Sequence, residues 1–287
     1  MLRLLLLLRW PLVIILGIGV PAFIYLAFIA DGPILEVEYD VDLGQRTVAA
    51  IEAEPEEYPL LAENEYPGLY NYMRGLVREI VQSDAIQYGD LFAYDSVKVI
   101  GDDNTLNAFC APGGFIYVYT GIIRYLDAED HLAGVLGHEI AHAERRHSAR
   151  QMQKEFGKER LLEFLAISAP LAIGNIAFAA MLNELTDLGY SRELEAEADD
   201  LSVRYLADSR YACDGAAGFF EKILREGDDF AIPEFLSEHP EPAARVRDVR
   251  RTAEEAGCRT EVGDQTRWRE LQASLGPVVV DSAAGGQ

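Results

Sequence analysis

A chain of 287 residues with 49% hydrophobic content can bury a sizeable core in one domain and still carry an added segment at one end. Asp and Glu number 48 against 25 Lys and Arg, so the formal net charge is −23. Such a surface repels phosphate backbones and anionic lipid, which argues against nucleic acid as a partner and against flat docking on a membrane.

Leu12 to Ala30 carries no charge and is long enough to cross a hydrocarbon core as a helix. Arg3 and Arg9 precede it, and Asp31, Glu36, Glu38, Asp40 and Asp42 follow it. Basic residues stay on the cytoplasmic side, which puts the main domain outside, in a bacterial periplasm behind a single pass of the inner membrane. The end of the segment, AFIADG, has Phe28 where a cleavage site wants a small residue. Residues 1–30 therefore read as a retained anchor or uncleaved signal.

Residues 31–65 are acidic with several turn residues and read as a lead-in from the membrane. Apolar residues at helical spacing (Leu69, Tyr72, Met73, Leu76, Val77, Ile80) predict a helix over 66–83. Residues 92–101 read as a strand. Pro112, Gly113 and Gly114 mark a turn before a second strand at Phe115 to Thr120, so a hairpin or small sheet is expected. A helix begins near Glu129. Residues 161–182 are strongly apolar but interrupted by Glu163, Pro170, Gly174 and Asn175. They read either as a second membrane span or as buried or membrane-touching helices, and the breakers favour the latter. Residues 189–206, 215–225 and 241–256 look helical. The tail from Gly263 to Gln287 ends in small residues and reads as loose.

Three cysteines are present and form no CxxC pair, which argues against a cysteine zinc site. In an exported domain, Cys213 and Cys258 are the candidate disulfide, and Cys110, in an apolar strand, is a buried thiol.

Three of the five histidines lie in VLGHEIAHAERRH, residues 135–147. On a helix His138 and His142 share one side, and two imidazoles one turn apart can reach one Zn²⁺ at about 2.0–2.1 Å. Glu139 beside the first histidine is then a general base toward the attacking water. A catalytic zinc wants a third protein ligand and an open position. Glu195 in EAEAD supplies the ligand. Asp199, four residues on, accepts the N–H of a ligand histidine. His147 lies about 900° around a continued helix from His138, on the opposite side, and reads as structural or surface. His131 likewise reads as structural.

The pieces NAFCAPGGFIYVYTGII, LAGVLGHEIAHAERRH, YSRELEAEAD and EHPEPAARV, in that order over about residues 70–250, resemble the zinc metallopeptidases that include HtpX, BepA and the CAAX prenyl protease, a branch of the gluzincins. The resemblance implies an α+β fold, a mainly helical zincin-type domain over 66–262 with a small sheet at the cleft. It implies one Zn²⁺ per chain on His138, His142 and Glu195, with Glu139 as base and Asp199 behind a ligand. It also implies an edge strand, with Asn107 and the Gly113–Gly114 turn, to which an extended polypeptide adds. His239 of the HP…R segment becomes a removable fourth ligand with Arg245 as its neighbour in the cleft; the plain alternative is a loop histidine before Pro240. The expected activity is endopeptidase action on misfolded or unassembled envelope proteins. The alternatives are a substrate-holding protein with a capped zinc and a processing protease for one partner. Several spans or helical repeats, carried by some relatives, have no counterpart in this sequence beyond the one clear span.

Overall fold

The computed structural model describes residues 36–155, 189–226, 239 and 241–276. The expected anchor at 12–30 and the apolar stretch at 161–182 lie outside the described residues. Among the described residues, no helix is long and apolar enough to cross a membrane.

Among the described residues, eight named helices accompany a three-stranded sheet, in the order α1 (Glu38–Ala53), α2 (Pro67–Val81), β1 (Val97–Ile100), β2 (Ala108–Ala111), β3 (Phe115–Tyr119), α3 (Thr120–Tyr125), α4 (Glu129–Glu144), α5 (Arg192–Leu206), α6 (Gly215–Glu226), α7 (Pro242–Ala256) and α8 (Thr266–Ser274). The strand order is β1-β3-β2. β3 runs parallel to β1 and forms an antiparallel hairpin with β2. The expected strand over 92–101 is confined to Val97–Ile100. Before it, Phe92 and Tyr94 are buried in a loop that the Ala93 N–H ties to the Gly113 carbonyl at 2.7 Å.

Side chains alternate across the sheet, as strand geometry requires. Ala108, Cys110, Ile116 and Val118 face the main core, which α4 shares. Tyr117 and Tyr119 face the other way, where Phe109, Phe115, Val48 and Ile51 pack with them. Val48 and Ile51 belong to α1, so the stretch expected as a lead-in is a covering helix of the fold. Its close fit shows at Gly44, where an added Cβ would lie 1.9 Å from the Pro112 carbonyl oxygen.

Helix α4 is buried along nearly its whole length, including every residue from Leu132 to Glu144. Two glycines let its neighbours approach. A Cβ on Gly134 would lie 1.9 Å from the Ala216 nitrogen of α6, and one on Gly137 would lie 2.9 Å from the Ser202 hydroxyl of α5. Ser202 in turn donates to the Gly134 carbonyl at 2.8 Å. α4 is thus the central element, flanked by the sheet, α5 and α6.

The expected loose tail is corrected over its first part. Residues 266–274 form α8, and Trp268 is fully buried, its indole N–H donating to the Leu126 carbonyl at 3.1 Å. The aromatic anchor outweighs the small-residue composition of the end. Cys213 and Cys258 form a disulfide, and Cys110 is a free buried thiol.

Candidate metal centre

His138 and His142 project from one side of α4, one turn apart. Glu195 and Asp199 sit one turn apart on α5, whose N-terminus Ser191 caps by accepting the Leu194 N–H. Crossing the two helices brings the pairs together. His138 Nε2 lies 2.9 Å from His142 Nε2 and 3.5 Å from Glu195 Oε2, and His142 Nε2 lies 3.5 Å from Glu195 Oε1. His239 joins them, its Nδ1 3.3 Å from His138 Nε2 and 2.9 Å from Glu195 Oε1. Each of the four is at least 97% buried, and their ligand atoms lie within 4.8 Å of one another.

Tetrahedral bonds of about 2.0–2.1 Å put ligand atoms about 3.3–3.4 Å apart. All five separations above fall within about half an ångström of that edge, so the donor set fits a four-coordinate metal. The charge fits too. Burial and Arg245 both work against a proton on His138, yet Asp199 and Glu195 outweigh them and push it up to about 9. A place where carboxylates force a charge onto a buried imidazole is one that stabilises a cation. Burial holds His239 down to about 4, in the neutral form that ligates.

Behind these atoms stands a brace. Asp199 Oδ1 is 3.0 Å from His138 Nδ1. Arg245 of α7, 5% exposed, donates to both Asp199 oxygens and lies 2.9 Å from Glu195 Oε2, with Phe220 under its guanidinium. It faces the carboxylates from inside the core. Glu139 is also buried, its Oε1 3.4 Å from His239 Nε2.

The profile of peptidase family M48 matches residues 73–253, well over half of the chain. The chain belongs to peptidase family M48. It is 32% identical over 174 residues to the mitochondrial metalloendopeptidase OMA1 of Schizosaccharomyces pombe, covering 60% of this chain and 51% of that one. It is 30% identical over 161 residues to the beta-barrel assembly-enhancing protease of Escherichia coli K12, covering 53% of this chain and 33% of the other. The chain thus spans between a third and about half of these relatives' length. Within the span matched to M48, the His138, His142, Glu195 group, joined by His239, is the candidate metal site.

The other expected residues of this M48 chain lie at the sheet, around β2 and the turn that follows it. Asn107 leads into β2, buried, its carbonyl accepting the Tyr119 N–H at 3.1 Å. Gly113 and Gly114 both have positive φ, 76° and 88°. A Cβ on Gly113 would lie 2.7 Å from the Val41 Cα of α1, and one on Gly114 would lie 2.9 Å from the Phe92 Cβ. That turn is packed under α1 and the preceding loop.

His147 is not on the opposite side of the site. α4 ends at Glu144, and Arg146 takes a left-handed φ of 56°. The chain turns there, and His147 comes back to lie with Nδ1 2.8 Å from His142 Nδ1, fully buried. Only an unbroken helix would carry His147 to the far side, and α4 stops at Glu144. Tyr190, unassigned by the motif, stacks on His142 with centroids 4.0 Å apart. A ring two residues before the start of α5 carries no sequence signal for that contact.

Proposed function

We propose that this M48 protein is a zinc endopeptidase acting on unfolded or misassembled polypeptide in the bacterial envelope, anchored by residues 12–30 with its domain in the periplasm. The observation that carries the reading is the convergence of His138, His142, Glu195 and His239 around one point, with Glu139 beside them.

His138, His142 and Glu195 would hold the metal. When bound, zinc polarises the scissile carbonyl and lowers the pKa of a water in the site. Glu139 takes a proton from the attacking water and delivers it to the leaving amine. Asp199 accepts the Nδ1–H of His138, which fixes the tautomer that offers Nε2. Arg245 keeps Asp199 ionised and oriented, since burial alone pushes that carboxyl up and the guanidinium brings it below the usual range. His239 is a removable fourth ligand, so the resting enzyme is capped.

Substrate breadth is supported by β2, which pairs with β3 on one side and, among the described residues, with no strand on the other. An extended segment adds there through backbone hydrogen bonds that read little sequence. The disulfide and the basic flank of the anchor support the oxidising, outer side of a membrane.

The test is cleavage of casein by the purified full chain, with chelator, after zinc is restored, and in Glu139→Gln. Activity lost to chelator, regained with zinc and absent from a zinc-loaded Glu139→Gln protein is the expected result. Zinc-loaded protein that cleaves only after His239→Ala fits the capped state. A chain that binds zinc yet never cleaves, His239→Ala included, favours the substrate-holding reading instead.

A further inference from the structure

The two ligand histidines are braced unequally. His138 meets a carboxylate directly, through Asp199. His142 meets another imidazole. With Nε2 turned to the metal group, the neutral His142 ring must carry its proton on Nδ1. The atom facing that proton at 2.8 Å is His147 Nδ1, which can accept only through its lone pair. His147 must then carry its own proton on Nε2, and that nitrogen lies 3.3 Å from Glu197 Oε2. One proton arrangement satisfies the chain His142 to His147 to Glu197, running outward from ligand to carboxylate.

The end of the relay is fixed as well. Arg145 Nε donates to Glu197 Oε1 at 2.5 Å and Arg150 Nη1 to Oε2 at 3.0 Å. Both arginines flank the turn at Arg146 that returns His147 to the site. Tyr190 closes the remaining face of His142, its ring stacked within 19° of parallel and its hydroxyl 2.9 Å from the Ser148 hydroxyl.

We propose that His147 is a positioning residue: it accepts the Nδ1–H of His142, is anchored in turn by Glu197, and so sets the tautomer and ring angle with which His142 offers Nε2 to the metal. This rests on the metallopeptidase reading. The ordinary alternative is a buried histidine that only fills space. Space filling asks neither ring nitrogen to meet a partner, whereas here both do. Ligand affinity in such sites depends on the groups behind the ligands, commonly by about 10–100-fold.

The experiment measures zinc affinity of the full chain by competition with a chelating indicator, together with melting of the chelated protein. His147→Leu removes the acceptor. His147→Asn puts a side-chain amide oxygen where Nδ1 stands. Glu197→Ala cuts the outer anchor at a residue that is partly exposed. The expected result is zinc binding weakened about 10–100-fold in His147→Leu, largely recovered in His147→Asn, and weakened to a smaller degree in Glu197→Ala. The kcat on casein follows the same order at saturating zinc. Should His147→Leu not fold, Glu197→Ala decides, and unchanged zinc affinity in that variant overturns the proposal. So does His147→Leu with wild-type affinity, whatever its melting temperature. A wild-type chain that binds no zinc overturns the metallopeptidase reading itself, an outcome distinct from the others.

Discussion

Arg245 grips Asp199 through two parallel hydrogen bonds, Nε to Oδ2 at 2.8 Å and Nη2 to Oδ1 at 2.6 Å, both side chains about 5% exposed. A planar fork on a carboxylate fixes orientation as well as charge. Removing one partner of such a buried pair leaves the other uncompensated, which costs about 3–5 kcal/mol. Arg245→Met should therefore unfold at markedly lower urea than wild type when both are chelated. Zinc supplies positive charge to the same carboxylates, so the deficit should narrow when zinc is added. A deficit that zinc leaves untouched would mean that Arg245 contributes packing on Phe220 and no charge.

Helix α4 and helix α6 meet backbone to backbone at Gly134. The added Cβ of Gly134→Ala would stand 1.9 Å from one backbone nitrogen and 2.4 Å from a backbone carbon, neither of which can swing aside. The helices must separate, at or above the top of the usual cost for overpacking, about 1–3 kcal/mol. Gly75 in α2 is the control. Nothing lies within 4 Å of its Cβ position, so Gly75→Ala should stabilise by about 0.5–1 kcal/mol through the unfolded chain and helix propensity. Urea unfolding of the two variants checks both signs, and equal effects would contradict the packing.

HExxH at 138–142 and Glu195 with Asp199 are legible because ligation and bracing both demand a one-turn spacing on a helix. Helix α2 is legible from its apolar spacing. α1 was hidden by composition: acidic residues dominate 31–65, yet Val37, Val41, Gly44, Val48 and Ile51 recur at four and three residues, a period that finds its face against the sheet only in the fold. His147 was hidden for another reason. Its position depends on one left-handed residue, Arg146, which pairs with Asp40 of α1, and no local pattern announces a positive φ at an arginine. Trp268 and Leu271, three apart in the supposed tail, were the sign of α8.

The disulfide ties the chain two residues before α6 to the chain two residues after α7, across a sequence separation of 45. Closing a loop of that length in the unfolded chain is worth about 4 kcal/mol on the chain-entropy argument. α6 and α7 carry Phe220 and Arg245, so they form the outer wall of the metal group. Replacing both cysteines by serine should lower the urea midpoint by that order while zinc content at saturating zinc is kept. Loss of zinc from a protein that still unfolds cooperatively would instead show that the crosslink itself shapes the site.

His131 lies on α4 away from the metal group, and its titration can be read separately. Burial lowers its pKa below the usual 6.5, only partly offset by Asp127 and Asp130, with Lys222 lowering it further and Glu221 raising it. Its ring covers Gly218 of α6, where a Cβ would lie 2.3 Å from Nε2, and its Nδ1 has no hydrogen-bond partner among the described residues. The sign follows from proton counts. Below about pH 6.5 the unfolded chain protonates this histidine before the folded chain does. The unfolded state then binds more protons, so this contribution to stability is fully present above the unfolded value. It is lost as pH falls toward and through the depressed folded one. His131→Gln cannot take up the proton. Between about pH 7.5 and about pH 5, wild type should lose stability faster than His131→Gln, measured as the difference in urea midpoint between two chelated proteins. A difference that stays constant over that range would mean that His131 keeps its ordinary pKa in the folded chain.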